Sequence, residues 1–433
     1  MADIRTPLAT RARPSSLRAR QSAIVQSVFP AHPLPRFLTA VLCIMLIGSG
    51  VISAFVLGRG GPLPVTEMLD AWIGLLALYL LFRTRIHTTI TIFLLLGYAL
   101  TRIIPALATD APLYDFTQAY RWVLYLIVLA LAVGKTWGSA KLLIGATWTL
   151  LILAIIKGAL TQLTLGLRPG LLLENNFEIP LFAGLVAIIY SHLGRSRLPI
   201  VLTLGVSTVI AGSRSGVLAF VVLAMYAVTQ TDRGNIFVRY LALISLPVAG
   251  FIAYDLFQDR AASENRLDRL NFLDVFFSET RDWGIGEWLV GTTPITPLSP
   301  GGCEALSGYE NLFSSTGDGS CYSVIMHAFF MRVVFDAGIV GLLISFGFMW
   351  YLMRRSAVPR LLAAALLLIA AMNSLSVSGP NNPYVILPIL LAVLGAHKVA
   401  EKASAESDAP PPVKGELRSK TRKPVTRALP FSG

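Results

Sequence analysis

A few residues in this 433-residue chain combine type and setting in ways that suit chemistry. Arg214 stands in the run Gly212, Ser213, Arg214, Ser215, Gly216, between two short apolar stretches. The small residues on both sides let a bulky ligand approach the backbone. Arg266 and Arg269, with Arg281 further on, are cations in an otherwise acidic segment, and His327 stands where that segment gives way to a long apolar run. Arginine's planar fork of donors suits phosphate, and histidine titrates where a hydroxyl proton has to be taken near neutrality. The set therefore fits transfer of a sugar from a polyprenyl diphosphate. Diphosphate is a good leaving group, so no covalent nucleophile is needed; fixed positive charge and a base beside the acceptor hydroxyl suffice. Each residue also has a plainer reading. Arg214 would reach for lipid headgroups, the loop arginines would pair with Glu264, Asp268 or Asp282, and a lone histidine is more often structural.

Other chemistries fit less well. No His, Cys, Asp or Glu cluster has zinc spacing, and there is neither a phosphate-binding Gly-x-x-x-x-Gly-Lys loop nor a Gly-x-Ser-x-Gly elbow. Asp110 and Asp115 lie close enough in sequence to hold a metal but bring no further ligands, so neither a metal nor a cofactor is expected.

The elements that must carry these residues are membrane helices. Hydrophobic residues make up 55% of the chain and charged residues 14%, against roughly 25% charged in soluble domains. Runs of about 17–25 apolar residues match a bilayer core, and lipid offers no partners to backbone N–H and C=O groups, so such runs must be helices. The expected architecture is all-α: a polytopic bundle of about twelve transmembrane helices, over 37–57, 65–82, 88–107, 117–134, 140–163, 177–193, 198–212, 215–230, 236–257, 324–352, 359–376 and 383–397. The span 324–352 is too long for one straight crossing, and its first turns are expected to lie along the surface. Residues 1–36 form a basic tail, 37–397 the transmembrane domain and 398–433 a second basic tail with disordered composition.

The net charge of +12 is concentrated in those tails, which supply +5 and +4. Arg83 and Arg85, Lys135 and Lys141, Arg195 and Arg197, Arg233, then Arg354, Arg355 and Arg360 fall on alternate connections. By the positive-inside bias those connections and both termini are cytoplasmic. The opposite side then holds Arg214 and the segment 258–322, a large extracytoplasmic loop between the ninth and tenth helices with ten acids and four arginines. A loop of this length is usually functional, and Asn265–Ser278 reads as an amphipathic helix on the membrane surface. Cys303 and Cys321 lie in this loop, either as a disulfide suited to an oxidising exterior or as two free thiols. Without aromatic residues among the basic runs, no nucleic acid is expected as a partner.

Taken together, these motifs resemble the O-antigen ligase and O-antigen polymerase superfamily of bacterial membrane glycosyltransferases. The resemblance rests on Gly212–Gly216, the late outer loop, Arg266 followed by Gly284-Ile285-Gly286, and His327 followed by Phe335, Asp336, Ala337 and Gly338. Asn381, Asn382, Pro383 and Tyr384 before the last helix add to it. The chain departs from the family in having Ser215 directly after Arg214, and Arg281, Asp282 and Trp283 where many members carry a proline. The resemblance implies a metal-independent, inverting glycosyltransferase of the bacterial inner membrane, with its active site on the extracytoplasmic side. In cell-envelope biogenesis it would take its glycan from undecaprenyl diphosphate and pass it to a glycan, lipid or protein acceptor. Arg214 and Arg266 would hold the diphosphate, with Arg269 as the alternative to Arg266, and His327 would activate the acceptor. Arg281 and Asp336 are possible additions. Polymerase and ligase share the donor and differ in acceptor. A transporter or flippase of lipid-linked glycan is the competing reading, and would call for charged residues inside central helices, which the sequence does not plainly display.

Overall fold

The computed structural model describes residues 32–58, 60–230, 240 and 268–395. All of the expected ninth span but residue 240, Arg266 and almost all of both tails lie outside the described residues. Helices occupy the other expected stretches: α1 (Arg36–Ala54), α2 (Val65–Arg83), α3 (Thr89–Ala108), α4 (Leu113–Ala132), α5 (Ala140–Leu165), α6 (Asn175–Ile189), α7 (Arg197–Ala211) and α8 (Arg214–Gln230). The segment after Asp268 forms α9 (Asp268–Glu279), α10 (Ile285–Val290) and α11 (Pro300–Ala305), and α12 (Phe329–Arg355), α13 (Arg360–Ser374) and α14 (Pro383–Val393) follow. Among the described residues five of these, α1, α2, α3, α5 and α12, are long and apolar enough to cross a membrane. One two-residue parallel pair, β1 (His32–Pro33) with β2 (Lys135–Thr136), was not foreseen.

The helix ends follow local chemistry. Pro35, Pro64, Pro112 and Pro359 immediately precede α1, α2, α4 and α13, where proline's missing N–H is not needed. Gly166 and Gly212 close α5 and α7 in the left-handed conformation, at φ 62° and 56°, which a side chain resists.

Burial sorts the helices into layers. Every residue of α14, and of α6 from Glu178 to Ile189, is buried; helices apolar all round belong at the centre of a membrane bundle. They meet at Gly184, where an added Cβ would stand 2.6 Å from Pro388. At the periphery α3 keeps Ile90, Phe93, Leu94 and Ile104 more than half exposed, a surface for lipid.

The two ends of the bundle differ in charge. At one, Arg85, His87, Lys135 and Arg355 gather, and Trp137 N–H bonds to the Leu394 carbonyl at 2.8 Å. Burial and then those three cations hold the His87 imidazole below its ordinary value. The other end carries the α9–α11 segment, tied to the start of α4 by Asp115, which accepts from Ser314 Oγ at 2.8 Å and from Ser315 N–H. This segment has its own small core around Phe272, Phe276, Leu306 and Met326, closed by a Cys303–Cys321 disulfide.

The long span near 324–352 is resolved into parts. Ser323–Ile325 is a short 3₁₀ turn, 326–328 is not helical, and α12 breaks at Gly338, φ 65° and ψ −172°. The carbonyls freed by the break find donors elsewhere. Phe335 O accepts from Thr292 N–H (2.9 Å), and Asp336 O accepts from the Tyr120 hydroxyl (2.9 Å) and Arg102 Nη1 (3.3 Å). Gly291 makes this close approach possible: a Cβ there would stand 2.7 Å from the Gly338 nitrogen.

Candidate functional site

The Arg214 turn is built by side chains around it rather than by its own sequence. Ser213, fully buried, caps α8 by accepting from Gly216 N–H at 3.1 Å. Ser213 and Ser215 both donate to Asn176 Oδ1, at 2.9 and 3.2 Å. Asn175 Nδ2 donates to Ala211 O at 2.7 Å, and Arg168 Nη2 donates to Gly212 O. Arg214 is thereby fixed, half-buried, as the first residue of a 17-residue helix. A helix N-terminus attracts anions through its unsatisfied N–H groups and dipole, so guanidinium and helix favour the same kind of ligand.

Beneath this turn Lys157, Glu178, Asn175 and Ser207 line a cavity of about one water. Both ionisable groups are buried and satisfied. Lys157 Nζ donates to Ser53 Oγ (2.6 Å) and Gly60 O (2.5 Å), while Glu178 accepts the N–H groups of Leu171, Leu172 and Leu173 at 2.5–2.8 Å. The pair stitches the end of α1, the α5–α6 connection and α6 together.

His327 lies half-buried in the non-helical stretch before α12. Its ring meets Phe272 of α9 edge to face, centroids 5.7 Å apart. Arg269 stands one turn before Phe272 on the same helix; its side chain, like all of Arg266, lies outside the described residues. Arg281 is exposed in the turn after α9 and takes no part in these contacts. Asp336 is buried and accepts from Ser323 Oγ at 2.6 Å.

A hydrogen-bonded joint links the histidine stretch to the Arg214 turn. Phe329 N–H bonds to Val377 O at 3.0 Å. Asn373 accepts from Gly379 N–H through Oδ1 (3.1 Å) and donates from Nδ2 to Asn176 O (2.6 Å). Asn176 is the residue that holds Ser213 and Ser215. The site residues at 214 and 327, far apart in sequence, therefore share one end of the bundle, with Asn373 and Asn176 between them.

Sequence reasoning missed both asparagines, which are fully or largely hidden, and it missed the ionisable residues inside helices. Asp70, Arg102, Arg121, Lys157 and Arg332 sit within the expected spans, and Arg102, Lys157 and Arg332 are buried. This corrects the reading that central helices lack charge. The signal was present, since an ionisable residue inside an apolar run is costly and generally functional or paired. Arg121 is paired with Asp70 at 3.0 Å. Asp115, considered above for a metal, is instead engaged by the two serines of the loop. No family model and no curated protein matches the chain.

Proposed function

We propose that this protein is a membrane glycosyltransferase that moves a glycan from a polyprenyl diphosphate to an acceptor hydroxyl with inversion and without a metal. What carries the reading is the joint through Asn176 and Asn373, which couples an arginine at a helix N-terminus to a histidine at the same end of the bundle. The acceptor oxygen attacks the anomeric carbon as the bond to the diphosphate oxygen breaks. His327 takes the hydroxyl proton, and Arg214, with Arg269 or Arg266, holds the charge that grows on the departing diphosphate. In this reading the chain crosses a bacterial inner membrane about twelve times with both termini cytoplasmic, and the α9–α11 segment lies outside. The acceptor is another lipid-linked unit for a polymerase, or an envelope lipid or protein for a ligase.

The test is transfer by the purified protein in nanodiscs, from an undecaprenyl-diphosphate glycan, with EDTA as control. His327→Ala should bind donor normally and lower transfer roughly 10²–10⁴-fold, the usual contribution of a general base. Near-normal turnover in that variant removes the histidine from the mechanism, and activity lost in EDTA and restored by a divalent cation overturns the metal-free reading. The buried Lys157, Arg102 and Arg332 are the one observation that favours a transporter or flippase. Lipid-linked glycan crossing proteoliposomes without being extended would select it.

A further inference from the structure

The α9–α11 segment meets α12 at a depth that the helices themselves define. Gly338 takes the contact: an added Cβ on Gly291 would stand 2.7 Å from the Gly338 nitrogen, and one on Gly338 would meet Leu289 O. From Gly338 to Arg354, at the basic end of the bundle, α12 runs sixteen residues, about 24 Å at the rise of an α-helix. The hydrocarbon core of a bilayer is about 30 Å thick. With the basic end at one surface of the bilayer, where arginine and lysine gather, Gly338 stands short of the other surface, and any tilt of α12 sets it deeper. A second helix agrees. α3, 20 residues long, starts at Thr89 beside the basic end and spans about 30 Å. Its Arg102, six residues short of Ala108, donates to Asp336 O at 3.3 Å.

Both ends of α10 lie at this level. Its C-terminal end makes the Gly291 contact, and Trp283, just before its start, packs on Phe335, one turn from Gly338, ring centroids 5.5 Å apart. Trp288 turns inward to the small core, 5.3 Å from the Trp283 ring and 6.2 Å from Phe276. The outward side is apolar: Ile285 is 81% exposed, Leu289 and Val290 about half, and positions 285 and 289, four apart, share a face. Glu287, two positions from each, falls on the other side of the helix and accepts from Gly284 N–H at 2.9 Å. Directly beyond Gly338, Ile339, Val340 and Leu343 are exposed as well, so the apolar surface of the crossing helix begins where α10 touches it. Three large apolar side chains bare on a six-residue helix are costly in water. At this depth they meet lipid. An interfacial helix sinks its apolar face about 5–10 Å into the boundary of headgroups and acyl chains, and roughly 6 Å separates Gly338 from the far edge of the core.

We propose that α10 is a membrane-interface anchor: it rests in the leaflet opposite the basic end, Ile285, Leu289 and Val290 against acyl chains and Glu287 toward the headgroups. The partner of this surface is the bilayer, not another protein. The contact asks for no particular side-chain shape, so cysteine is accommodated at 285 and 289. It rests on the bundle's crossing a membrane and does not depend on the glycosyl-transfer reading.

Fluorescence quenching on the full-length protein tests it, in nanodiscs of phosphatidylcholine and phosphatidylglycerol, with Cys43 replaced by serine and the disulfide kept. A single bimane label goes on Ile285→Cys or Leu289→Cys. Ile104→Cys, on the exposed face of α3, is the lipid reference, and Ser307→Cys, exposed in the loop, is the water reference. Phosphatidylcholine brominated along its acyl chains reports contact with lipid, and iodide reports contact with water. Labels at 285 and 289 should lose roughly half their fluorescence to brominated lipid, as at 104, and be several-fold less sensitive to iodide than at 307. An unchanged melting temperature checks the fold of each variant, and the two positions are read independently, so one that misfolds leaves the other to decide. Iodide quenching equal to that at 307 would put the face in water and overturn the anchor. Quenching by neither agent would overturn it too, because protein, such as a second copy of the chain, would then cover the face.

Discussion

At the scale of single residues, the candidate site depends on what holds each side chain as much as on the side chain itself. Arg214 is fixed by Ser213, Ser215 and Asn176, so two kinds of change should separate. Arg214→Lys keeps the charge and loses the planar fork. Transfer should fall while the melting temperature holds, and a fully active lysine variant would show that charge alone is needed. Asn176→Ala instead releases both serines from Asn176 Oδ1, while the Asn373 bond to the main-chain carbonyl of residue 176 is kept. It should lower thermal stability and transfer together, which calorimetry beside the transfer assay would reveal. The arginine and histidine were legible in the sequence because charge in an apolar setting stands out. The asparagines were not, because an amide within an apolar run has no special look until its partners, 37 and 197 positions away, are known. Arg332 was legible in principle, as an ionisable residue within an apolar run.

At the scale of elements, the buried Lys157–Glu178 arrangement and the disulfide have separate tasks. Lys157→Met leaves the buried Ser53 Oγ and Gly60 O without their donor and takes a cation from near Glu178, a loss of about 1–3 kcal/mol. Lys157→Met with Glu178→Gln should recover part of that loss, and a double variant no better than the single would rule out coupling between them. Cys303 and Cys321 close a loop of 18 residues, a constraint of about 3 kcal/mol on the unfolded state. Reducing it should loosen the small core around Phe272 and His327 and leave the bundle's melting unchanged. Hydrogen exchange resolves the two. Helix positions were readable from apolar run length and from the prolines that start four of them. The start of α12 was not, because 324–328 is nearly as apolar as the helix after it, yet it forms a 3₁₀ turn and the non-helical 326–328, with Phe329 N–H drawn to Val377 O.

At the scale of the whole molecule, the two ends of the bundle differ enough to be told apart in solution. Unique cysteines at Ser307 and at Arg355, with Cys43 replaced, should label from opposite sides of a cell membrane; both labelling from outside would remove the topology and the site's placement with it. The basic end also titrates. His87 is held below its ordinary value by burial and by Lys135, Arg85 and Arg355, so the unfolded chain binds the proton more readily. Stability supplied by the neutral imidazole is present above the ordinary histidine range and lost as pH falls through it. Melting in detergent across that window should show a slope that His87→Asn flattens.

The contact between Gly291 and Gly338 bears on how such a protein can change over time. At this point the α9–α11 segment meets α12 backbone to backbone, while Trp283 packs on Phe335 beside it, ring centroids 5.5 Å apart. Ile285, Leu289 and Val290 are 45–81% exposed and free to be exchanged for other residues, altering what the segment greets while its mooring stays put. A saturation scan read by surface expression should find deep intolerance at positions 291 and 338 and wide latitude at 285 and 289. The loop would then be a replaceable module on a fixed two-glycine hinge pin, open to new partners without refolding the bundle beneath.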